Sequence, residues 1–421
     1  MNPKIYSINA REILDSRGNP TVETTVILDS GYRGTAAVPA GASLGKYEAV
    51  ELRDGDKERY GGMGVLKAVQ NVNTTLAAKL KGMDASNQTV FDKTMNDLDG
   101  TAEKKNLGAN SILSISLANA VAVANHTRTP LYKYLNTLFN TLLPTKVERM
   151  PTPEFNIING GKHGAGNLDF QEFHIVPATN KPYREALRIG AEVYQSLKKV
   201  LVYRNAIHSI GDEGGFAPNL FTNVEALEVI LEAIKGTPYK FGIDIFFGLD
   251  VAANSFKKEK GYQIKDQPEP LTAKQFIEYF KQLHSKYHLL LLEDPLEEDD
   301  WASWTEITAD LGKEVFIIGD DILVTNKVRL EKAISLKACS AILLKPNQIG
   351  TLTEFFEVIA IAKKNNIKTI VSHRSGETND TFISDVAVAV QSDYVKFGAP
   401  ARGERVAKYN RLLEIESELF K

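Results

Sequence analysis

The sequence predicts an α/β protein in which a smaller N-terminal α+β domain precedes a C-terminal (β/α)8 barrel of the TIM type. Three observations indicate this. After residue 140, short and continuously apolar segments alternate with helical patterns, as in parallel strands that helices cover on both faces. Six of these segments end in a reactive polar residue, at spacings of 23 to 43 residues that suit one βα unit each. The first 140 residues show instead alternating strand patterns followed by helices.

The N-terminal region opens with a predicted pair of strands. Val22, Thr24, Val26 and Leu28 alternate with other residues, which predicts a strand over 22–28. Ser30-Gly31 then turns the chain into a second strand over 32–38. A helix follows, because apolar residues recur at intervals of three and four up to a capping Gly82. Those residues are Val65, Val69, Val72, Leu76 and Leu80. Prolines and a change of pattern near residue 140 divide the chain into domains 1–140 and 141–421.

Composition excludes several classes of protein. Hydrophobic residues make up 43%, charged residues 24%, and the formal net charge is −3, so a large buried core is expected and nucleic acid is not an expected partner. Cys339 is the only cysteine, which rules out an intramolecular disulfide and favours a reducing compartment. The first 15 residues lack the apolar segment of a signal peptide, and the apolar stretch 112–124 reads as a buried core helix rather than a membrane span. We therefore expect a cytoplasmic protein without a membrane partner.

The barrel region places one reactive residue after each of six predicted strands. The strands are 246–249, 289–292, 316–318, 341–344, 369–371 and 394–395. The residues that close or directly follow them are Asp250, Glu293, Asp320, Lys345, His373 and Lys396. Active sites of such barrels lie at the carboxyl ends of the strands. An open doubly wound sheet also binds ligands there, but six consecutive units would rarely converge on one point.

Three of these residues, Asp250, Glu293 and Asp320, are carboxylates. Each could cap the helix that follows it, but three acids brought together repel one another unless a cation lies among them. An all-oxygen set of ligands favours a hard cation, and Mg²⁺ is the usual octahedral choice.

A lysine after the next strand points to proton transfer. Lys345 could simply pair with the acids, or a nearby divalent cation and partial burial could bring its pKa toward neutrality and make it a base. A lysine base next to a metal-carboxylate site suggests that a proton is removed beside a carboxylate. Arg374 and Ser375 follow the next-to-last strand, where barrel enzymes often hold phosphate; the less favoured alternative is a surface arginine in a turn.

Other motifs do not qualify as sites. The segment 41–46 has too few residues between its glycines for a phosphate-binding loop of the Walker type, and Tyr47 stands where Ser or Thr is required. His163 lies in a glycine-rich loop and Glu213 in an acidic turn, and pattern alone gives neither a role. The remaining histidines are interpreted as ordinary core or surface residues. These are His126, His174, His208, His284 and His288.

Longer motifs resemble those of the enolase family. The segments, in chain order, are DSRGNPTVE at 15–23, GKH at 161–163, QEF at 171–173, GDEGG at 211–215, EDP at 293–295, LLKPNQIGT at 343–351, SHRSGET at 372–378, GAP at 398–400 and ER at 404–405. The resemblance runs from about residue 5 to 419 without a large gap. It implies a hydro-lyase (phosphopyruvate hydratase) of glycolysis and gluconeogenesis, which reversibly dehydrates 2-phospho-D-glycerate to phosphoenolpyruvate with two Mg²⁺ per active site.

The resemblance also implies a role for each matching position. Asp250, Glu293 and Asp320 would hold the first Mg²⁺, and Ser43 would help bind the second. Lys345 would be the base at carbon 2 and Glu213 the acid at carbon 3, with Glu172 and His163 assisting. Gln171, His373, Arg374, Ser375 and Lys396 would bind the substrate.

The same resemblance implies a homodimer or higher even oligomer, in which Glu414 would lie near Glu23 of a second copy. Relatives commonly carry Ser at the position of Ala40 and Thr at that of Leu44. These two differences bear on the energetics of closing the loop around Ser43, and therefore on the rate, more than on the type of reaction.

Two alternatives stay open. One is a related barrel enzyme acting on another hydroxy or phosphorylated acid. The other is a binding protein without turnover, in which surface or secreted copies would use the terminal Lys421 to bind host proteins.

Overall fold

The N-terminal domain begins with a three-stranded antiparallel sheet. The computed structural model describes residues 2–41, 45–164 and 166–420. The strands are β1 (Ile5–Leu14), β2 (Pro20–Leu28) and β3 (Arg33–Ala37), in that spatial order. The two predicted strands are confirmed, and Gly31 turns between them with a φ of 83° that suits glycine. Sequence patterns did not reveal β1.

Helices complete this domain. They are α1 (Leu66–Asn71), which continues through a π-helical segment (Val72–Leu76) into α2 (Ala77–Leu80), then α3 (Gln88–Asp99), α4 (Ala109–His126) and α5 (Leu131–Phe139). The predicted core helix is α4, which lies against β2 and β3. The serines within it are satisfied in the core, since Ser114 Oγ lies 2.7 Å from Thr24 Oγ1. In the described part of the chain, no helix has both the length and the apolar character needed to cross a bilayer.

Eight strands then close into a barrel, which confirms the predicted fold class. The described part of this domain contains these eight strands and a two-stranded hairpin. In chain order the ten strands are β4 (Thr152–Asn159), β5 (Glu172–Pro177), β6 (Ile245–Asp250), β7 (Lys257–Lys258), β8 (Gly261–Tyr262), β9 (Leu289–Glu293), β10 (Phe316–Gly319), β11 (Ala341–Leu344), β12 (Lys368–Ser372) and β13 (Tyr394–Lys396). The short β7 and β8 form a separate hairpin, and the other eight make the closed barrel. All six barrel strands predicted from apolar segments are present.

Helices surround the barrel. They are α6 (Tyr183–Tyr203), α7 (Asn223–Lys235), α8 (Ala273–Tyr287), α9 (Trp301–Leu311), α10 (Lys327–Leu336), α11 (Pro346–Ile349), α12 (Leu352–Lys364), α13 (Phe382–Ala389) and α14 (Gly403–Leu419). Inside the barrel, side chains from six strands form a separate apolar cluster, so its lower interior is filled by apolar side chains. Polar groups lie above this cluster.

One strand departs from the expected all-parallel barrel. β5 runs antiparallel to both β4 and β6. In its described part, the 160–171 connection from β4 holds a short 3-10 turn (Gly161–His163) and no α-helix, whereas a parallel crossover usually needs one. The reversal brings the first residue of β5 to the end where its neighbours finish. Glu172 therefore lies opposite Asp250, which in turn lies opposite Glu293.

Candidate active site

Three carboxylates meet an ammonium group at the carboxyl end of the barrel. Asp250 and Glu293 end β6 and β9, and Lys396 ends β13. Lys396 Nζ lies 3.1 Å from Asp250 Oδ2, 2.8 Å from Glu293 Oε2 and 3.2 Å from Glu172 Oε2. Burial opposes the charge of Lys396, but these carboxylates outweigh it and raise its pKa well above the usual value. The site thus concentrates negative charge that a buried cation must balance.

Lys345 pairs with the third predicted carboxylate. It follows β11 directly, and its Nζ lies 2.5 Å from Asp320 Oδ2, just beyond β10. Burial by itself lowers the pKa of Lys345, but the attraction of Asp320 outweighs it and the net pKa is raised. The protein's own groups therefore keep this amine charged, and the expected shift toward neutrality would have to come from a ligand that competes for Asp320.

A further acid, Asp294, holds the Asp320 segment in place. Its carboxylate accepts hydrogen bonds from the backbone nitrogens of Asp320, at 2.9 Å, and Asp321, at 2.8 Å. One oxygen of each of these three residues lies within 4.8 Å of the others. Burial and the neighbouring acids raise the pKa of Asp321 to about 7. Sequence patterns missed Asp294 and Asp321 because they adjoin the more prominent strand-end acids.

A histidine lies between two buried glutamates on another side of the cavity. His163 Nδ1 is 3.1 Å from Glu172 Oε1 and 3.5 Å from Glu213 Oε1. Burial lowers the pKa of His163, but Glu213 and Glu172 outweigh it and raise that pKa to about 9. Burial and Glu172 raise the pKa of Glu213, but His163 and His373 outweigh them and hold it at about 2. In this geometry the three groups share a proton that rests on the imidazole.

His373 has a defined tautomer. Arg405 Nη1 lies 2.7 Å from His373 Nδ1, and because arginine only donates, Nδ1 must accept. The ring proton is therefore on Nε2, which faces Glu213 Oε2 at 3.3 Å. Asn156 Nδ2 donates to the same oxygen at 3.1 Å. Both contacts fix the orientation of the Glu213 carboxylate.

Arg374 reaches the cavity beside a loop of the N-terminal domain. Its Nη1 lies 3.0 Å from Glu48 Oε2, and both side chains are buried. Ser375 Oγ accepts from Arg17 Nη1 at 3.2 Å, and Arg17 Nη2 donates to the carbonyl of Gly41 at 2.9 Å. The contact of Arg17 with Gly41 holds the chain before 42–44, and the contact of Arg374 with Glu48 holds it after them. The predicted ligand Ser43 lies outside the described residues, as do Leu44 and Lys421.

The predicted site residues come together in one cavity. Every described candidate except Glu293 lines it, and Glu293 contacts it through Lys396. Gln171 also belongs here, because its Nε2 donates to Asp250 Oδ2 at 3.2 Å.

Two family models match almost the whole chain. One, described as the enolase N-terminal domain, matches residues 5–135, and the other, described as the enolase C-terminal TIM barrel domain, matches residues 147–421. The chain belongs to the enolase family. Membership supports an enolase-type lyase acting on a small molecule, with a divalent metal.

The donor set of this enolase-family site fits such a metal. Asp250, Glu293 and Asp320 offer only carboxylate oxygens, which suit a hard cation. The ammonium groups of Lys396 and Lys345 already lie among these oxygens, so the geometry collects positive charge where a cation would bind.

Three residues close to this enolase-family site were not found from the sequence. Glu48 contacts Arg374 across 326 residues of chain. His174, interpreted from the sequence as an ordinary residue, contacts Glu172, and Glu154 lies beyond it. The available signal was Glu154, the one charged residue in the strand 152–159.

Proposed function

We propose that this enolase-family protein is a phosphopyruvate hydratase, which dehydrates 2-phospho-D-glycerate to phosphoenolpyruvate in cytoplasmic glycolysis and gluconeogenesis. The observation that carries the proposal is a single buried cavity lined by a lysine, a glutamate with a proton-sharing histidine, strand-end carboxylates and an arginine. These are the groups needed to remove a proton next to a carboxylate and to protonate a departing hydroxyl.

The substrate's two anionic groups would be bound by cationic and polar side chains of the last strands. Arg374 can grip phosphate oxygens through two parallel hydrogen bonds, and Ser375 adds a hydroxyl. His373, Lys396 and Gln171 complete the set of groups in reach of the substrate. Because Arg374 and Lys396 are both buried, their attraction for an anion is screened little by water.

Lys345 would take the proton from carbon 2. Its Nζ is the base, and the Asp320 carboxylate, 2.5 Å away, is the group that now keeps this amine protonated. The proton on carbon 2 is weakly acidic, because the neighbouring carboxylate is already negative, so the base must lie close to that carbon.

Glu213 would protonate the hydroxyl that leaves carbon 3. Hydroxide is a poor leaving group and must receive a proton as it departs. The proton that rests on His163, 3.5 Å from Glu213 Oε1, supplies it, and Glu172 on the other side of the imidazole assists the transfer.

Two Mg²⁺ ions are part of the proposal. Asp250, Glu293 and Asp320 would hold one, and Ser43 would help hold the other. The chemistry that bound Mg²⁺ supplies is positive charge, which stabilises negative charge on the substrate carboxylate and weakens the hold of Asp320 on the Lys345 proton.

The first experiment is direct. Absorbance of phosphoenolpyruvate should rise when the protein and 2-phosphoglycerate are mixed with Mg²⁺, and not when the metal is chelated. Glu232→Gln, an exposed glutamate paired with Arg204, is the control for loss of a carboxylate and should keep full activity. No product at any Mg²⁺ concentration would leave a related reaction or a binding role as the better interpretation.

Two variants separate the base from the acid. Lys345→Ala should abolish both product formation and exchange of the carbon-2 proton with deuterated water. Glu213→Gln, which keeps the side-chain volume, should lower product formation by about 10²–10⁴-fold while the exchange persists, because proton removal can still occur and reverse. Loss of exchange in Glu213→Gln that still binds metal and substrate would contradict this assignment.

A homodimer or higher even oligomer completes the proposal. The like charges expected at Glu23 and Glu414 each have a partner in their own chain, since Glu23 lies 2.6 Å from Arg11 and Glu414 lies 2.9 Å from Arg411. These arginines weaken any repulsion between copies. Sedimentation at low micromolar concentration should show a dimer or larger, and monomer alone would refute the assembly.

A further inference from the structure

A buried histidine lies between two carboxylates inside the barrel, one layer below the cavity. His174 Nε2 lies 2.8 Å from Glu172 Oε2, and His174 Nδ1 lies 3.6 Å from Glu154 Oε2. All three side chains are at most 2% exposed. Since a carboxylate accepts, Nε2 donates to Glu172, whereas the 3.6 Å between Nδ1 and Glu154 Oε2 is too long for a hydrogen bond and is a packing contact between the two side chains.

Strand geometry puts these groups together. Successive side chains of a strand point to opposite faces, so Glu172 and His174 on β5 share the inner face. Glu154 lies opposite Lys396 on the neighbouring β13. Gly248 lies opposite His174 on β6, and a Cβ there would approach the His174 Cβ to 3.2 Å and its Nδ1 to 3.3 Å. A larger residue at 248 would crowd the imidazole, so the glycine makes room for it.

Stability alone gives no reason to bury the pair Glu154 and His174 inside the barrel. Neither oxygen of Glu154 has a hydrogen-bond partner among the described residues, and burying a charged or polar group in that state costs several kcal/mol. The layer beneath is apolar, with Val176, Leu291 and Leu343, and could be extended upward without that cost.

The pair does act on one active-site group. Oε2 of Glu172 accepts from His174 and also contacts Lys396 at 3.2 Å, so this oxygen is fully engaged on the barrel side. The other oxygen, Oε1, is thereby left facing His163 at 3.1 Å. Without His174, Lys396 alone would hold the lower oxygen, and the carboxylate could turn toward it and away from His163.

We infer that His174 is a positioning residue for Glu172, and that Glu154 acts through His174 by holding the imidazole from its far side. The inference rests on the proposed function, in which Glu172 and His163 assist at the departing hydroxyl. It assigns the pair to the second half of the reaction, so the removal of the carbon-2 proton should not depend on it.

The test uses a pair of substitutions that keeps the barrel interior consistent. His174→Leu alone would strand a buried carboxylate and could fail to fold, so the key variant is Glu154→Leu with His174→Leu, which extends the apolar cluster. It should unfold at no lower denaturant concentration than the parent. Its kcat should fall about 10–100-fold, as for lost positioning contacts, its KM should stay within about threefold, and carbon-2 exchange should persist.

Conservative variants separate positioning from packing. His174→Gln keeps an N–H that can reach Glu172 and should restore most of kcat, whereas a purely structural role would show no such rescue. Glu154→Gln, of equal volume, should lower kcat severalfold when His174 is present. When combined with His174→Leu it should match the double leucine variant.

The outcomes are distinguishable. A parent that does not turn over 2-phosphoglycerate overturns the proposed function and this inference with it. An active parent whose double leucine variant keeps full kcat, or loses carbon-2 exchange along with turnover, overturns the inference alone.

Discussion

Replacing Lys396 with methionine removes the ammonium group that now separates three buried carboxylates. Lys396 Nζ lies 2.8 to 3.2 Å from Asp250, Glu293 and Glu172. Methionine has a similar length and no charge, so the variant leaves the packing nearly unchanged and leaves the acids to repel one another. A divalent cation bound to Asp250 and Glu293 should relieve that repulsion.

Distances set the size of the effect. At about 3 Å and an effective dielectric constant near 20, each carboxylate attracts the ammonium by about 5 kcal/mol. Burying the ammonium costs several kcal/mol in return, and breaking one side of a buried pair typically destabilises a protein by about 3–5 kcal/mol. We expect a loss of that size without metal. Mg²⁺ at 100 times its dissociation constant should add about 2.7 kcal/mol to the parent, and more than that to Lys396→Met.

Denaturant unfolding with and without Mg²⁺ measures both quantities. Lys408→Met is the matched control, because Lys408 is equally buried and lies 2.9 Å from Glu377, outside the carboxylate cluster. It should lose a similar stability, but Mg²⁺ should stabilise it by the same amount as the parent. If Mg²⁺ adds no more to Lys396→Met than to the parent and the control, the ammonium and the metal do not share these carboxylates, and the reasoning fails.

Three further predictions use other measurements. Calorimetric titration of Mg²⁺ into metal-free protein with 2-phosphoglycerate should show two binding events, and full activity at one equivalent would contradict the second ion. Glu48→Gln should destabilise the substrate-free protein by about 2 kcal/mol, since it removes a charge-assisted partner of Arg374. The substrate should then raise the thermal midpoint of the variant more than that of the parent. Equal increases in the midpoint would show that Glu48 and the substrate phosphate do not share Arg374. Burial raises the pKa of Asp92 to about 6 in the folded protein, whereas its pKa in the unfolded chain is about 3.9. Between these two values the folded state keeps a proton that the unfolded state loses. The free energy of unfolding should therefore fall by about 2 kcal/mol as the pH rises from about 4 to about 6. Asp92→Asn should lack this part of the fall, and identical pH profiles would disprove the assignment.

The barrel and the ends of its strands could be predicted from the sequence because both leave local patterns. A strand covered on both faces is continuously apolar, and the residue that ends it is free to be polar, so Asp250, Glu293 and Asp320 stood out by position alone. The long motifs then added residues such as Glu213 and His163, whose own surroundings in the sequence carry no pattern.

The reversed direction of β5 could not be predicted from the sequence, because a strand has the same residue pattern in either direction. Only the short link from β4 reverses it, and that reversal is what brings Glu172 to the active end beside Asp250. The 3.1 Å contact between Lys396 and Asp250 is also tertiary, since it joins residues 146 positions apart.

By itself, the sequence determined the family, the barrel and most of the residues that line its upper end, since these follow from periodicity and from contiguous motifs. Only the tertiary structure decided which charges share a buried space. Glu48 on Arg374, and His174 between Glu154 and Glu172, are contacts of this kind. The physical reason is that burial makes a charge depend on every group within a few ångströms, and those groups come from segments that are distant in the chain.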